Sequence, residues 1–196
     1  MAAITMKDFE SHQKKLCIVA IVFASIGLLL LCVGIGTSSW HIDYNTAGTS
    51  ILWYTNYFYT CYAVNGSCWS NQYLASVVDY YSQPITQSPA VSTDYYLRLR
   101  NAAALGIIGL LFVLFGLIAT VFLMIPSWHI VKFGGRSNLI AALLLAIAAL
   151  FQRAALSEGQ HQFSQNGYSA SLYDTGHVLT IFTAAICAFV AGRIYF

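Results

Sequence analysis

Cys61 and Cys68 are the residues best placed for covalent chemistry, because a turn signal, Asn65-Gly66, lies between them. A four-residue loop over 63–66 would set the two cysteines directly opposite each other on adjacent strands. Cross-strand partners lie about 4.5–5.5 Å apart, a spacing that a disulfide bridges. Asn65-Gly66-Ser67 is also an acceptor sequon for N-linked glycan, with Asn65 at the exposed hairpin tip. A disulfide and a glycan both require a luminal or extracellular face. Thiol redox catalysis would instead use a Cys-x-x-Cys pair, and the chain has none. Of the other cysteines, Cys17 follows Lys14 and Lys15 and is a candidate for lipidation by palmitoylation.

Catalytic signatures are missing. His12, His41, His129, His161 and His177 never fall at metal-ligand spacing, and there is no His-Glu-x-x-His, Gly-rich phosphate loop or Gly-x-Ser-x-Gly. No enzyme activity, cofactor, metal, nucleic acid or small-molecule substrate is therefore expected. The remaining polar candidates are Gln152, Arg153, Asp174 and His177, which sit near the ends of apolar runs where polar groups are costly. Arg153 is expected to reach outward to the interface or to pair with Glu158 or Asp174. A proton relay would need a second buried acid, which the runs do not offer.

The elements that must position these residues follow from hydropathy. The chain is 58% hydrophobic and 8% charged, against roughly 25% charged in soluble proteins. Runs at 16–36, 102–125, 137–156 and 174–195 are read as membrane-spanning helices. A cleaved signal peptide would have an apolar core of about 7–15 residues behind a short basic start, whereas here 21 apolar residues follow a 15-residue polar tail. Lys7, Lys14, Lys15, Lys132, Arg136 and Arg193 fall on one side if the helices alternate, six of the nine basic residues. That excess marks the cytoplasmic side, so both termini are expected inside and the loops 37–101 and 157–173 outside. Membrane lipids are the expected surroundings. Small residues such as Gly106, Gly109, Gly116 and Ala148 are expected to let the helices pack closely.

Within the large outer loop, 38–44, 51–54 and 57–63 are rich in aromatic and β-branched residues and predict strands. Leu74, Val77, Val78 and Tyr81 are helically spaced and predict a short helix over 71–82, which Pro84 and Pro89 would end. Trp69, Tyr73 and many neighbouring aromatics suit protein contact. Arg100 precedes the second run and is read as reaching back to the loop or anchoring at the interface.

The order apolar span, Ser39-Trp40, Leu52-Trp53, Cys61, Cys68, Arg100, apolar span resembles the claudin superfamily. That group includes claudins, peripheral myelin and epithelial membrane proteins, and calcium-channel gamma subunits. The resemblance implies family-motif roles for Trp40, Leu52, Trp53 and Arg100. It also implies a single four-span domain over 1–196, a membrane four-helix bundle with a small extracellular antiparallel β-sheet. Ile51 stands where the family has Gly, and the interval from Trp53 to Cys61 is longer than usual. The cytoplasmic tail and Tyr-Val end of a claudin are not found before Phe196. These departures imply a divergent member.

The implied function is non-catalytic: junctional adhesion and paracellular barrier formation at the plasma membrane, by lateral or cell–cell protein association. The rival expectation is an auxiliary subunit of an ion channel or neurotransmitter receptor. Between Trp40 and Cys68 the only carboxylate is Asp43, with no Lys or Arg, which favours a seal or an auxiliary role over a charge-selective pore.

Overall fold

A computed structural model describes residues 6–45, 47–81, 93–122, 124, 134–160 and 165–193, with side chains for all of these except 6–11, 77–81, 93, 134–138 and 193. Lys132, Pro84, Pro89, His129 and His161, and the side chains of Lys7, Val77, Val78, Tyr81, Arg136 and Arg193, lie outside what it describes. In chain order the elements are α1 (Met6–Gly36), β1 (His41–Tyr44), β2 (Ile51–Thr55), β3 (Tyr59–Tyr62) and β4 (Cys68–Ser70), followed by α2 (Asn71–Tyr81), α3 (Thr93–Phe122), α4 (Gly134–Gly159) and α5 (Tyr168–Arg193).

Four stretches of helix are long and apolar enough to cross a membrane: His12–Gly36, Asp94–Phe122, Leu139–Gly159 and Tyr168–Gly192. At about 1.5 Å per residue they match or exceed a hydrocarbon core of about 30 Å. The four close into a bundle in which α1 packs against α5, α5 against α4, α4 against α3, and α3 less extensively against α1. Lipid offers no hydrophobic drive between helices, so close backbone approach must hold them. A Cβ placed on Gly34 would stand 2.8 Å from the Tyr173 backbone nitrogen and 2.9 Å from the Ser169 carbonyl oxygen. One placed on Gly176 would stand 2.8 Å from the Gly27 carbonyl oxygen. Backbone therefore meets backbone along the α1–α5 seam. On the α3–α4 seam, Gly109 and Gly116 are instead filled by the side chains of Gln152 and Leu145.

The four strands form one antiparallel meander in the order β1-β2-β3-β4 at one end of the bundle. Cys61 pairs with Cys68, Tyr54 with Cys61 and Trp53 with Tyr62. The Tyr62 amide donates to the Ser67 carbonyl at 2.9 Å, closing the loop over 63–66, and Gly66 takes the positive φ that this turn requires. The Ser70 hydroxyl accepts from the Tyr73 amide at 3.1 Å and so caps α2.

Several bounds differ from the hydropathy reading. α3 begins at Thr93 rather than at 102, so Arg98 and Arg100 lie within the helix. Its polar first turns are supported by Asp94 and Arg98 at i,i+4 spacing, which an apolar window does not register. α4 continues to Gly159 and α5 starts at Tyr168, so the second sheet-side loop is 160–167 and not 157–173. Asp174 and His177 lie inside α5 as a result.

Candidate functional site

The described residues hold no cluster of three or more potential metal ligands. The sheet is joined to the bundle by hydrogen bonds and aromatic contacts. Trp40, between α1 and β1, is 2% exposed, and its indole N–H donates to the Gly34 carbonyl at 2.7 Å. Its ring lies 4.1 Å from that of Tyr57 and 5.3 Å from that of Tyr173. The Tyr57 hydroxyl in turn donates to the Ala155 carbonyl of α4 at 3.2 Å. Three rings from the linker, the sheet and α5 thus seat the sheet on the bundle. Burial, with a smaller contribution from Tyr173, pushes the Tyr57 phenol well above its ordinary pKa.

A polar knot fixes the β2–β3 turn above these rings. Asn56 Oδ1 accepts from the Phe58 and Tyr59 amides, each at 2.8 Å. Asn71 Nδ2 donates to the Asn56 carbonyl at 2.7 Å, and Thr60 Oγ1 donates to Asn71 Oδ1 at 2.8 Å. Both Asn56 and Asn71 are buried, so these bonds satisfy groups that would otherwise be left without water.

The free edge of β1 is closed from the far end of the chain. Asn166 Nδ2 donates to the Ile42 carbonyl and Asn166 Oδ1 accepts from the Ile42 amide, both at 2.8 Å. One side-chain amide thus substitutes for a neighbouring strand. The Gly167 and Ser169 amides donate to the Trp40 and Ser39 carbonyls at 3.0 and 3.1 Å. A Cβ on Gly167 would collide with the Ser39 carbonyl oxygen, so this close approach requires glycine.

The residues expected from sequence fall as follows. Cys61 and Cys68 are disulfide-bonded, with Cα atoms 4.0 Å apart. Asn65 is exposed at the hairpin tip, and its Oδ1 accepts from the Ser67 hydroxyl at 2.7 Å. Trp53 is buried with its ring 5.0 Å from that of His41, whereas Leu52 is half-buried on the opposite face of the strand. Trp69 and Tyr73 are exposed and stacked at 5.3 Å.

Three further positions are placed as follows. Arg100 is exposed and makes no ion pair among the described residues, and Arg98, two residues earlier, is bonded to Asp94 at 2.7 Å and to Glu158 of α4 at 3.3 Å. Glu158 therefore pairs with Arg98 and not with Arg153. Cys17 is buried in the bundle.

Sequence reasoning did not find Tyr173, Asn166 or the Asn56–Asn71 knot. Asn and Gly in the short loop before α5 were the only available signal, and they are common in any loop. A scan of protein-family models gives no match to this chain, and a search of curated proteins likewise gives none.

Proposed function

We propose that this chain is a non-catalytic, four-pass plasma-membrane protein of claudin type that works by lateral or cell–cell protein association. The observation that carries the reading is the Trp40–Tyr57–Tyr173 seat. It presents the sheet as a fixed surface on the bundle end while leaving the Trp69–Tyr73 pair and Phe58 exposed. Rigid exposed aromatics provide contact area at low entropic cost. In this reading the sheet faces outside, the disulfide persists in an oxidising compartment, Asn65 carries a glycan, and the protein concentrates at cell junctions.

A second reading is an auxiliary subunit of a channel or receptor, which, like a seal, is favoured over a charge-selective pore by the near-neutral sheet, in which Asp43 is the only carboxylate up to Cys68. The experiment that separates them is a mild-detergent pull-down resolved on a blue-native gel. Adhesion predicts ladders of the chain itself, lost on Trp69→Ala with Tyr73→Ala. A discrete complex with a channel or receptor, free of self-ladders, supports the second reading and rejects the first. Monomer alone rejects both.

A further inference from the structure

Inside the bundle, Gln152 of α4 and His177 and Thr180 of α5 form a buried polar chain whose hydrogens can be assigned. Thr180 Oγ1 donates its only proton to the Gly176 carbonyl at 2.9 Å, so its oxygen must accept from the Gln152 amide nitrogen at 3.5 Å. That orients Gln152 Oε1 toward His177 Nδ1, 3.1 Å away. An amide oxygen only accepts, so Nδ1 carries the proton and Nε2 is left with a lone pair. His177 retains 7% exposure.

Two charges flank this acceptor. Asp174 lies one turn before His177 on α5, and Arg153 is next to Gln152 on α4. Both side chains are exposed, and no ion pair joins them among the described residues. Each lies six residues from the sheet-side end of its helix, about 9 Å along the axis and close to the boundary between headgroups and hydrocarbon. Deeper on the same two helices, Leu150, Val178 and Ile181 are exposed and apolar.

We propose that this α4–α5 face is a binding site for a phosphocholine sphingolipid. Arg153 takes the phosphate, and Asp174 takes the quaternary ammonium. His177 Nε2, about 4.5 Å deeper than Asp174 along α5, accepts from the hydroxyl or amide N–H of the sphingoid backbone. The acyl chains run over Leu150, Val178 and Ile181. A glycerophospholipid with the same headgroup has only ester oxygens at that depth, and these would face the imidazole lone pair acceptor to acceptor.

The test uses the full chain in nanodiscs of phosphatidylcholine, doped with photoactivatable sphingomyelin or photoactivatable phosphatidylcholine carrying the probe at the same chain position. Sphingomyelin should label α4 and α5 peptides about fivefold more than phosphatidylcholine, the worth of one hydrogen bond. A sphingomyelin methylated at both its hydroxyl and its amide nitrogen should lose that advantage on the unaltered chain. His177→Phe should abolish the preference, and Arg153→Gln, at an exposed position, should weaken labelling by both lipids. Equal labelling by the two lipids overturns the proposal. So does a preference that survives methylation, or labelling that Arg153→Gln leaves unchanged.

Discussion

The indole N–H of Trp40 and the carbonyl oxygen of Gly34 are 2.7 Å apart, so the chain leaving α1 is folded back onto the last turn of that helix before β1 begins. Trp40→Phe keeps an aromatic ring against Tyr57 and Tyr173 and should cost about 1 kcal/mol, the hydrogen bond alone. Trp40→Ala also empties the seat and should cost about 3–5 kcal/mol. Thermal unfolding in micelles should rank the two in that order, and equal losses would mean that the rings contribute nothing.

Gly34→Ala should destabilise the bundle by about 1–3 kcal/mol, because the new methyl meets backbone of α5 that cannot move aside. Gly36→Ala is the matched control, with no atom within 4 Å of its Cβ. Comparing the unfolding midpoints of the two variants checks the α1–α5 seam.

Tyr57 gives the sheet-bearing end a pH limit. Its phenol is held neutral by burial, with a folded pKa raised above the unfolded value of about 10. The stability it contributes is therefore fully present below pH 10 and is lost as pH rises through the folded pKa. The bond to the Ala155 carbonyl goes with the proton. Tryptophan fluorescence should report opening of the sheet above about pH 10, and Tyr57→Phe should flatten that dependence while lowering stability at neutral pH.

Asn166→Ala should leave the four helices in place but uncover the edge of β1. Hydrogen exchange at the Ile42 amide should speed up several-fold, while the Cys61–Cys68 hairpin at the other edge keeps its protection. Unchanged exchange at Ile42 would mean that Asn166 does not close the edge.

Asn65→Gln should remove an endoglycosidase-sensitive shift in the mobility of the chain made in secretory cells. Reaction of Cys61 or Cys68 with an alkylating reagent before reduction would contradict the bridge.

The features legible in the sequence were those written locally. The Cys61–Cys68 register follows from one turn dipeptide inside a short loop, and the four helices follow from runs of apolar residues. Tyr173 meeting Trp40 and Asn166 meeting Ile42 each join residues more than a hundred positions apart, and nothing in either neighbourhood announces the other. The polar ends of α3 and α5 were lost for a related reason. Asp94, Arg98 and Ser169 read as loop until packing and pairing hold them helical. Gln152 and Arg153 stood out as polar, but which of the two turns inward depends on the rotation of α4 against Gly109 and His177.

The span of 124 positions between Ile42 and Asn166 also sets a clock on biosynthesis. A ribosome adding about 5–20 residues per second needs roughly 6–25 s to make that stretch. From the completion of β4 at Ser70 onward the sheet has every strand it will own, yet until Asn166 is made β1 still lacks the amide that finishes its edge. The hairpin at the opposite edge needs no later partner. A nascent chain is therefore half sealed, and quality-control factors on the sheet's side of the membrane have a defined period in which a bare strand distinguishes an incomplete molecule from a finished one.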